Sequence, residues 1–122
     1  MRRSLSKKVM VVDDDPVMTN FLKTLLELEG FAVILASRAE LVLSTALAEK
    51  PDAILLDLYL ADGDGMELLR QIRRCGDLRS VPVIVCSGMD LAQQSHAWGA
   101  TDFLLKPYPP EQLSASLRKV LS

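Results

Sequence analysis

Five short apolar runs, set at intervals through 122 residues, leave this chain little choice of fold. They occupy residues 9–12, 31–35, 53–56, 83–86 and 103–105, are built mainly from Val, Ile, Leu and Ala, and lack polar alternation. Each is too short for a helix, and runs of this kind suit strands buried on both faces of a parallel sheet. The stretches between them carry helical spacing: Phe21, Leu25 and Leu28, then Leu69 and Ile72, then Leu113, Leu117, Val120 and Leu121. Asp15-Pro16 predicts an N-cap followed by proline at the first helical position, with Gly30 closing that helix. Ser37 with Glu40 reads as a capping box, Asp64 with Glu67 as a similar pairing, and Pro110-Glu111 opens the last helix. Strand and helix thus alternate five times, which predicts a doubly wound α/β sheet with right-handed crossovers and helices on both faces.

The length suits one domain over residues 1–122, and 49% hydrophobic residues suffice for a core without covalent staples. A net charge of −2 supplies no basic footprint for nucleic acid. No apolar run approaches the roughly 18 residues that span a bilayer. The basic opening, Met1 to Lys8, is not expected to be a secretory signal, because Asp13-Asp14-Asp15 interrupts the apolar stretch behind it. Cys75 and Cys86 fit no CxxC or zinc spacing, and Cys86 is expected to be a small buried hydrophobe. This usage points to a cytoplasmic chain.

In an open α/β sheet, ligands bind beyond the carboxyl ends of the strands. There the sequence places Asp13-Asp14-Asp15 after the first run, Asp57 after the third, Ser87-Gly88 after the fourth and Lys106-Pro107 after the fifth. Two carboxylates about 4 Å apart repel by roughly 4 kcal/mol at an effective dielectric near 20, so a cluster of acids calls for cations. Lys106 is one. A hard, oxygen-seeking ion such as Mg²⁺ is the natural other, and a metal beside a lysine makes room for one further anion, a phosphoryl group above all. Asp15 is accounted for by helix capping and is left out of this shell.

Five motifs then stand in order: Val11-Val12-Asp13-Asp14-Asp15-Pro16; Pro51-Asp52-Ala53-Ile54-Leu55-Leu56-Asp57; Asp62-Gly63-Asp64-Gly65 with Glu67-Leu68-Leu69; Pro82-Val83-Ile84-Val85-Cys86-Ser87-Gly88; and Gly99-Ala100-Thr101-Asp102-Phe103-Leu104-Leu105-Lys106-Pro107. With them the whole chain resembles a receiver domain of two-component response regulators. The resemblance implies a five-stranded parallel sheet of order 2-1-3-4-5 and a phosphoacceptor signalling role that is not enzymatic turnover. By the same likeness Asp57 is the phosphoacceptor. Asp14 is a direct metal ligand, Asp13 acts through water, and Tyr59 lends its backbone carbonyl to the metal. Lys106 pairs with phosphoryl oxygens across a cis bond to Pro107, Ser87 hydrogen-bonds the phosphoryl group, and Phe103 turns inward with it as a switch. The implied cofactor is Mg²⁺, with Mn²⁺ as a substitute. The implied partner is a sensor histidine kinase or phosphotransfer protein, which owns the donating histidine; His96 does not. The likeness also implies a fused or separate output domain, a monomer or weak dimer, and slow hydrolysis of the aspartyl phosphate, while the charge and the short apolar runs predict no direct nucleic-acid binding and no membrane contact.

Some features depart from the family pattern. Ala61 stands where proline is common, and the interval from Ser87 to Lys106 is short by about one helical turn. Asp62-Gly63-Asp64-Gly65 invites a calcium-loop reading, which fails because Leu60 occupies a ligand position. Tyr59 also stands where related phosphohydrolases place a second carboxylate. The alternative within the family is a pseudo-receiver that binds partners without phosphorylation.

Overall fold

The computed structural model describes residues 6–60 and 63–122. Ala61 and Asp62 lie outside the described residues, and with them the departure at Ala61, as does the basic opening through Leu5. The five apolar runs form strands β1 (Lys8–Val12), β2 (Ala32–Ala36), β3 (Ala53–Asp57), β6 (Val83–Ser87) and β7 (Asp102–Leu105). A two-residue antiparallel ladder, β4 (Tyr59–Leu60) against β5 (Gly63–Asp64), lies between them. The helices are α1 (Pro16–Leu28), α2 (Ala39–Glu49), α3 (Gly65–Arg74), α4 (Ala92–Ala97) and α5 (Pro110–Leu121). All main-sheet pairings are parallel, and the order β2-β1-β3-β6-β7 is the expected 2-1-3-4-5 order of the five runs.

Because side chains alternate across a strand, each run feeds two cores. Met10, Val12, Ile54, Leu56, Val83 and Val85 pack on the face covered by α2 and α3, against Val42, Leu69 and Ile72. Val9, Val11, Leu55, Ile84 and Cys86 pack on the other face against Leu22 and Leu26 of α1 and Leu113 and Leu117 of α5. This two-sided burial explains why the runs show no polar alternation. It also confirms the α5 stripe, with Val120 and Leu121 packed at its margin.

Two expectations about helix surfaces need correction. The stripe read on α1 is not its buried face: Thr19, Leu22 and Leu26 are buried, whereas Phe21 is 52% and Leu28 82% exposed. The helix is apolar on two sides, and tertiary packing selects the side carrying Leu22 and Leu26. Nor does Ser37 cap α2; the N-cap is Arg38, whose side chain makes no capping bond and pairs with Glu40 instead. The other caps hold. The Asp15 carboxylate accepts from the amides of Val17 and Met18, and that of Asp64 accepts from Met66 N at 2.9 Å, while Glu67 turns to Arg70 at 3.4 Å.

Gly65 is needed where α3 starts beneath the end of β3. A Cβ there would stand 2.5 Å from Leu58 Cα, so only glycine lets α3 begin so close to the strand. Leu60 is 7% exposed in the core, which removes the calcium-loop reading. As the short interval implied, α4 has only six residues. Among the described residues, no helix is long and apolar enough to cross a membrane.

Candidate phosphoacceptor site

The strand ends bring the expected groups to one rim. Asp13 follows β1 and is 4% exposed; Asp57 ends β3 at 7%; Ser87 ends β6 fully buried. Oxygens of Asp13, Asp14 and Asp57 all lie within 4.8 Å of one another. Lys106, just past β7, places Nζ 3.1 Å from Asp57 Oδ2 and 3.7 Å from Asp13 Oδ2. Asp15 stays out of the cluster, as its capping role requires.

Local backbone fixes the direction of each carboxylate. Asp15 N donates to Asp13 Oδ1 at 2.9 Å, and Tyr59 N donates to Asp57 Oδ1 at 3.1 Å. Lys106 N donates to Ser87 O at 2.8 Å, tying the lysine's turn to the end of β6, and the bond from Lys106 to Pro107 is cis as expected. Ser87 Oγ accepts from Met89 N at 3.0 Å. Phe103 is half-buried on β7 against the α2/α3 core. The phenol of Tyr59, 57% exposed, spans the rim and donates to Met89 Sδ at 3.3 Å. Sequence reasoning missed Met89, and no spacing signal marks it.

Among the described residues, the electrostatics show a crowded anionic site. The Asp13 carboxyl lies above the ordinary aspartate value of 3.8: burial raises it most, the Asp15 amide and Lys106 pull it down, and the charges of Asp57 and Asp14 add to the rise. Burial works against the charge on Lys106, yet its surroundings more than offset that and hold its pKa above 10.5; the Cys86 sulfur would contribute if ionised, followed by Asp57 and Asp13. Burial pushes the Cys86 thiol up to about 12, so it is neutral near pH 7 and the two carboxylates support the lysine. Cys75 and Cys86 are both free thiols, and Cys86 is the buried hydrophobe that was expected.

Among the described residues, three clustered carboxylates beside the Lys106 ammonium make the donor set of a hard divalent cation that keeps several waters, so the residues fit Mg²⁺. A stability prediction follows from Asp13. A carboxyl whose folded pKa is raised penalises the folded state when ionised, so its contribution improves as pH falls through that raised value toward 3.8. Asp13→Asn keeps the acceptor for Asp15 N and removes the charge. In EDTA at pH 7 it should stabilise the protein by about 1 kcal/mol, the size of one fully water-screened charge pair at about 4 Å. Urea unfolding at pH 7 and again near pH 3.8 checks this: the gain should shrink as the pH falls through the raised value toward 3.8.

The fold and this rim together define a response-regulator receiver domain, and the chain belongs to that family: it matches the family model "Response regulator receiver domain" over residues 9–118. It is 40% identical over 116 residues to the KDP operon transcriptional regulatory protein KdpE of Escherichia coli K12, covering 93% of this chain and 50% of that protein. The chain spans about half the length of the curated relatives it matches. Among solved structures, it is similar to the beryllofluoride-activated N-terminal receiver domain of Klebsiella pneumoniae RstA. That match has a TM-score of 0.84 and 32% identity over 94% of this chain and 98% of the other. The receiver domain of a sensor histidine kinase from Pseudomonas aeruginosa PAO1, solved with magnesium in its active-site cleft, gives a TM-score of 0.86 and 26% identity over 96% and 98%.

Proposed function

We propose that this domain, taken as residues 1–122, receives a phosphoryl group on Asp57 from a phosphohistidine partner and passes the event on as a change of surface. The observation that carries this reading is the convergence of Asp13, Asp14, Asp57 and Lys106 on one rim. Asp14 and Asp57 would hold Mg²⁺ together with the Tyr59 carbonyl, and Asp13 would hold it through water. The ion, when bound, offsets charge on the phosphoryl oxygens.

In the transfer, an Asp57 carboxylate oxygen forms a bond to phosphorus as the bond from phosphorus to the donor nitrogen breaks, and the imidazole leaves with that electron pair. Lys106 stands beside both Asp57 and Asp13, so its ammonium can follow the new negative charge. The acyl phosphate adds close to two charges. Ser87 Oγ, now accepting from Met89 N, can rotate its own O–H toward a phosphoryl oxygen. Phe103 repacks beside it, and two packings a few kcal/mol apart are enough for a population shift. Hydrolysis returns Asp57 when water attacks phosphorus, a slow self-directed step rather than turnover of a free substrate. Mg²⁺ is the ion expected in a cytoplasmic setting, and the shift would be read by an output domain, fused or separate.

The partner's approach is suggested by a groove of about 610 Å³ that runs from Lys106 and Pro107 along Met18, Phe21, Leu25 and Tyr108. Phe21 is half out of the protein, so Phe21→Ser should leave stability within about 0.5 kcal/mol. It should slow transfer from a phosphohistidine donor roughly tenfold, as loss of an apolar interface anchor does. Labelling by acetyl phosphate should be unchanged. The reading itself is tested by incubating the protein with acetyl phosphate and Mg²⁺ and recording intact mass. One added phosphoryl group that fails to form in EDTA is expected; no addition under any condition would overturn the reading.

A further inference from the structure

Two exposed side chains meet at the acid rim. The Tyr59 phenol donates to Met89 Sδ at 3.3 Å, and the two residues are 57% and 58% exposed. Each end of this contact is rooted beside a group of the site. Tyr59 N donates to Asp57 Oδ1 at 3.1 Å, and Met89 N donates to Ser87 Oγ at 3.0 Å. The pair is therefore a bar that links the end of β3 to the end of β6, on the side of the rim where Asp57 and Ser87 stand. The bar is held weakly, because a thioether sulfur is a poor acceptor and the phenol leaves it at little cost.

The chain has five methionines, and their exposure differs. Met10 is fully buried, and Met66 and Met18 are partly buried, one against each core. Met1 lies outside the described residues. Among the described residues, Met89 is the exposed thioether, and a sulfur at the surface is the one that a dissolved oxidant meets first. Its bond to Tyr59 engages one sulfur lone pair and leaves the other open.

We infer that Met89 is an oxidation site for hydrogen peroxide, and that its sulfoxide locks the bar at the mouth of the phosphoacceptor site. In the step, the open sulfur lone pair bonds to one peroxide oxygen as the O–O bond breaks. The departing hydroxide takes the proton carried by the transferred oxygen, so the products are one sulfoxide and one water. Sulfur is oxidised by two electrons and peroxide is reduced by the same two. The thioether becomes a dipolar S–O group, whose oxygen accepts from a phenol better than sulfur does. Tyr59, already within reach, is then held more tightly, and a phosphodonor reaches Asp57 less often. The lock rests on the phosphoacceptor reading; the oxidation does not.

Limited treatment of the full chain with hydrogen peroxide, mapped to the residue by tandem mass spectrometry, tests the oxidation. One added oxygen should appear on Met89 several-fold faster than on Met10, Met18 or Met66; equal rates, or another of these oxidised first, would overturn the site. Labelling by acetyl phosphate and Mg²⁺ tests the lock, each rate taken relative to the same protein before peroxide. The unmodified sequence should slow roughly fivefold, the effect of about one net hydrogen bond gained by the closed bar. Methionine sulfoxide reductase should restore the rate, whereas a thiol reductant, which would rescue an oxidised Cys75, should not. Met89→Leu has no sulfur to oxidise and should pass through the treatment with its relative rate unchanged. Tyr59→Phe should oxidise at Met89 yet show no slowing, because it has no phenol to donate. A drop of the same size in either variant would overturn the lock, and so would an unaltered rate in protein fully oxidised at Met89. If the untreated protein takes no label at all, the phosphoacceptor reading and the lock fail together, and the mapping alone decides the oxidation site.

Discussion

Asp57→Asn is expected to abolish phosphoryl labelling by acetyl phosphate altogether, with the fold intact. Asparagine has the same shape, and its side-chain oxygen can still accept from Tyr59 N, the bond that orients Oδ1 at 3.1 Å. It lacks the anionic oxygen that must bond to phosphorus. Asp13 and Asp14 remain nearby, so the variant asks whether any clustered carboxylate will serve. One feature argues that none will. Lys106 approaches Asp57 more closely than Asp13, at 3.1 Å against 3.7 Å, so charge compensation centres on Asp57. Intact mass and urea unfolding on one preparation check both halves. A label persisting in Asp57→Asn would move the acceptor elsewhere.

The sheet was legible because each strand is buried on both sides, which writes itself as an uninterrupted apolar run. The predicted runs fall within about one residue of the observed strands. The rim was legible for a topological reason: parallel strands all end on the same edge, so acids and a lysine at strand ends must meet. Helix faces were harder. α1 carries Met18, Leu22 and Leu26 on one side and Val17, Phe21 and Leu28 on another, and the sequence alone offers no ground for choosing. The misread side is the exposed one beside the groove, where apolar residues suit a partner rather than the core. Ser37 failed as a cap because the helix starts one residue later than the box requires.

Lys106→Ala should move two measurements in opposite directions. Without the ammonium, Asp13 and Asp57 lose their shared counterion, and the cluster becomes more negative by one charge. Mg²⁺ affinity should therefore rise several-fold, the consequence of removing a like charge a few ångströms away. Phosphoryl transfer from acetyl phosphate should nevertheless slow by about 10²–10³, the usual loss when a preorganised donor to developing oxyanion charge is deleted. A purely structural lysine would not separate the two in this way; its loss would weaken both or neither. Lys106→Arg sharpens the distinction. It restores the charge and so should return Mg²⁺ affinity to near its starting value, but a planar fork cannot place a compact ammonium between Asp57 and Asp13, so transfer should stay slow. Titration of Mg²⁺ by calorimetry, with labelling rates at saturating metal, checks the pair. Unchanged transfer in Lys106→Ala would mean that the carboxylates and metal suffice and that the lysine serves only to make the empty cluster tolerable.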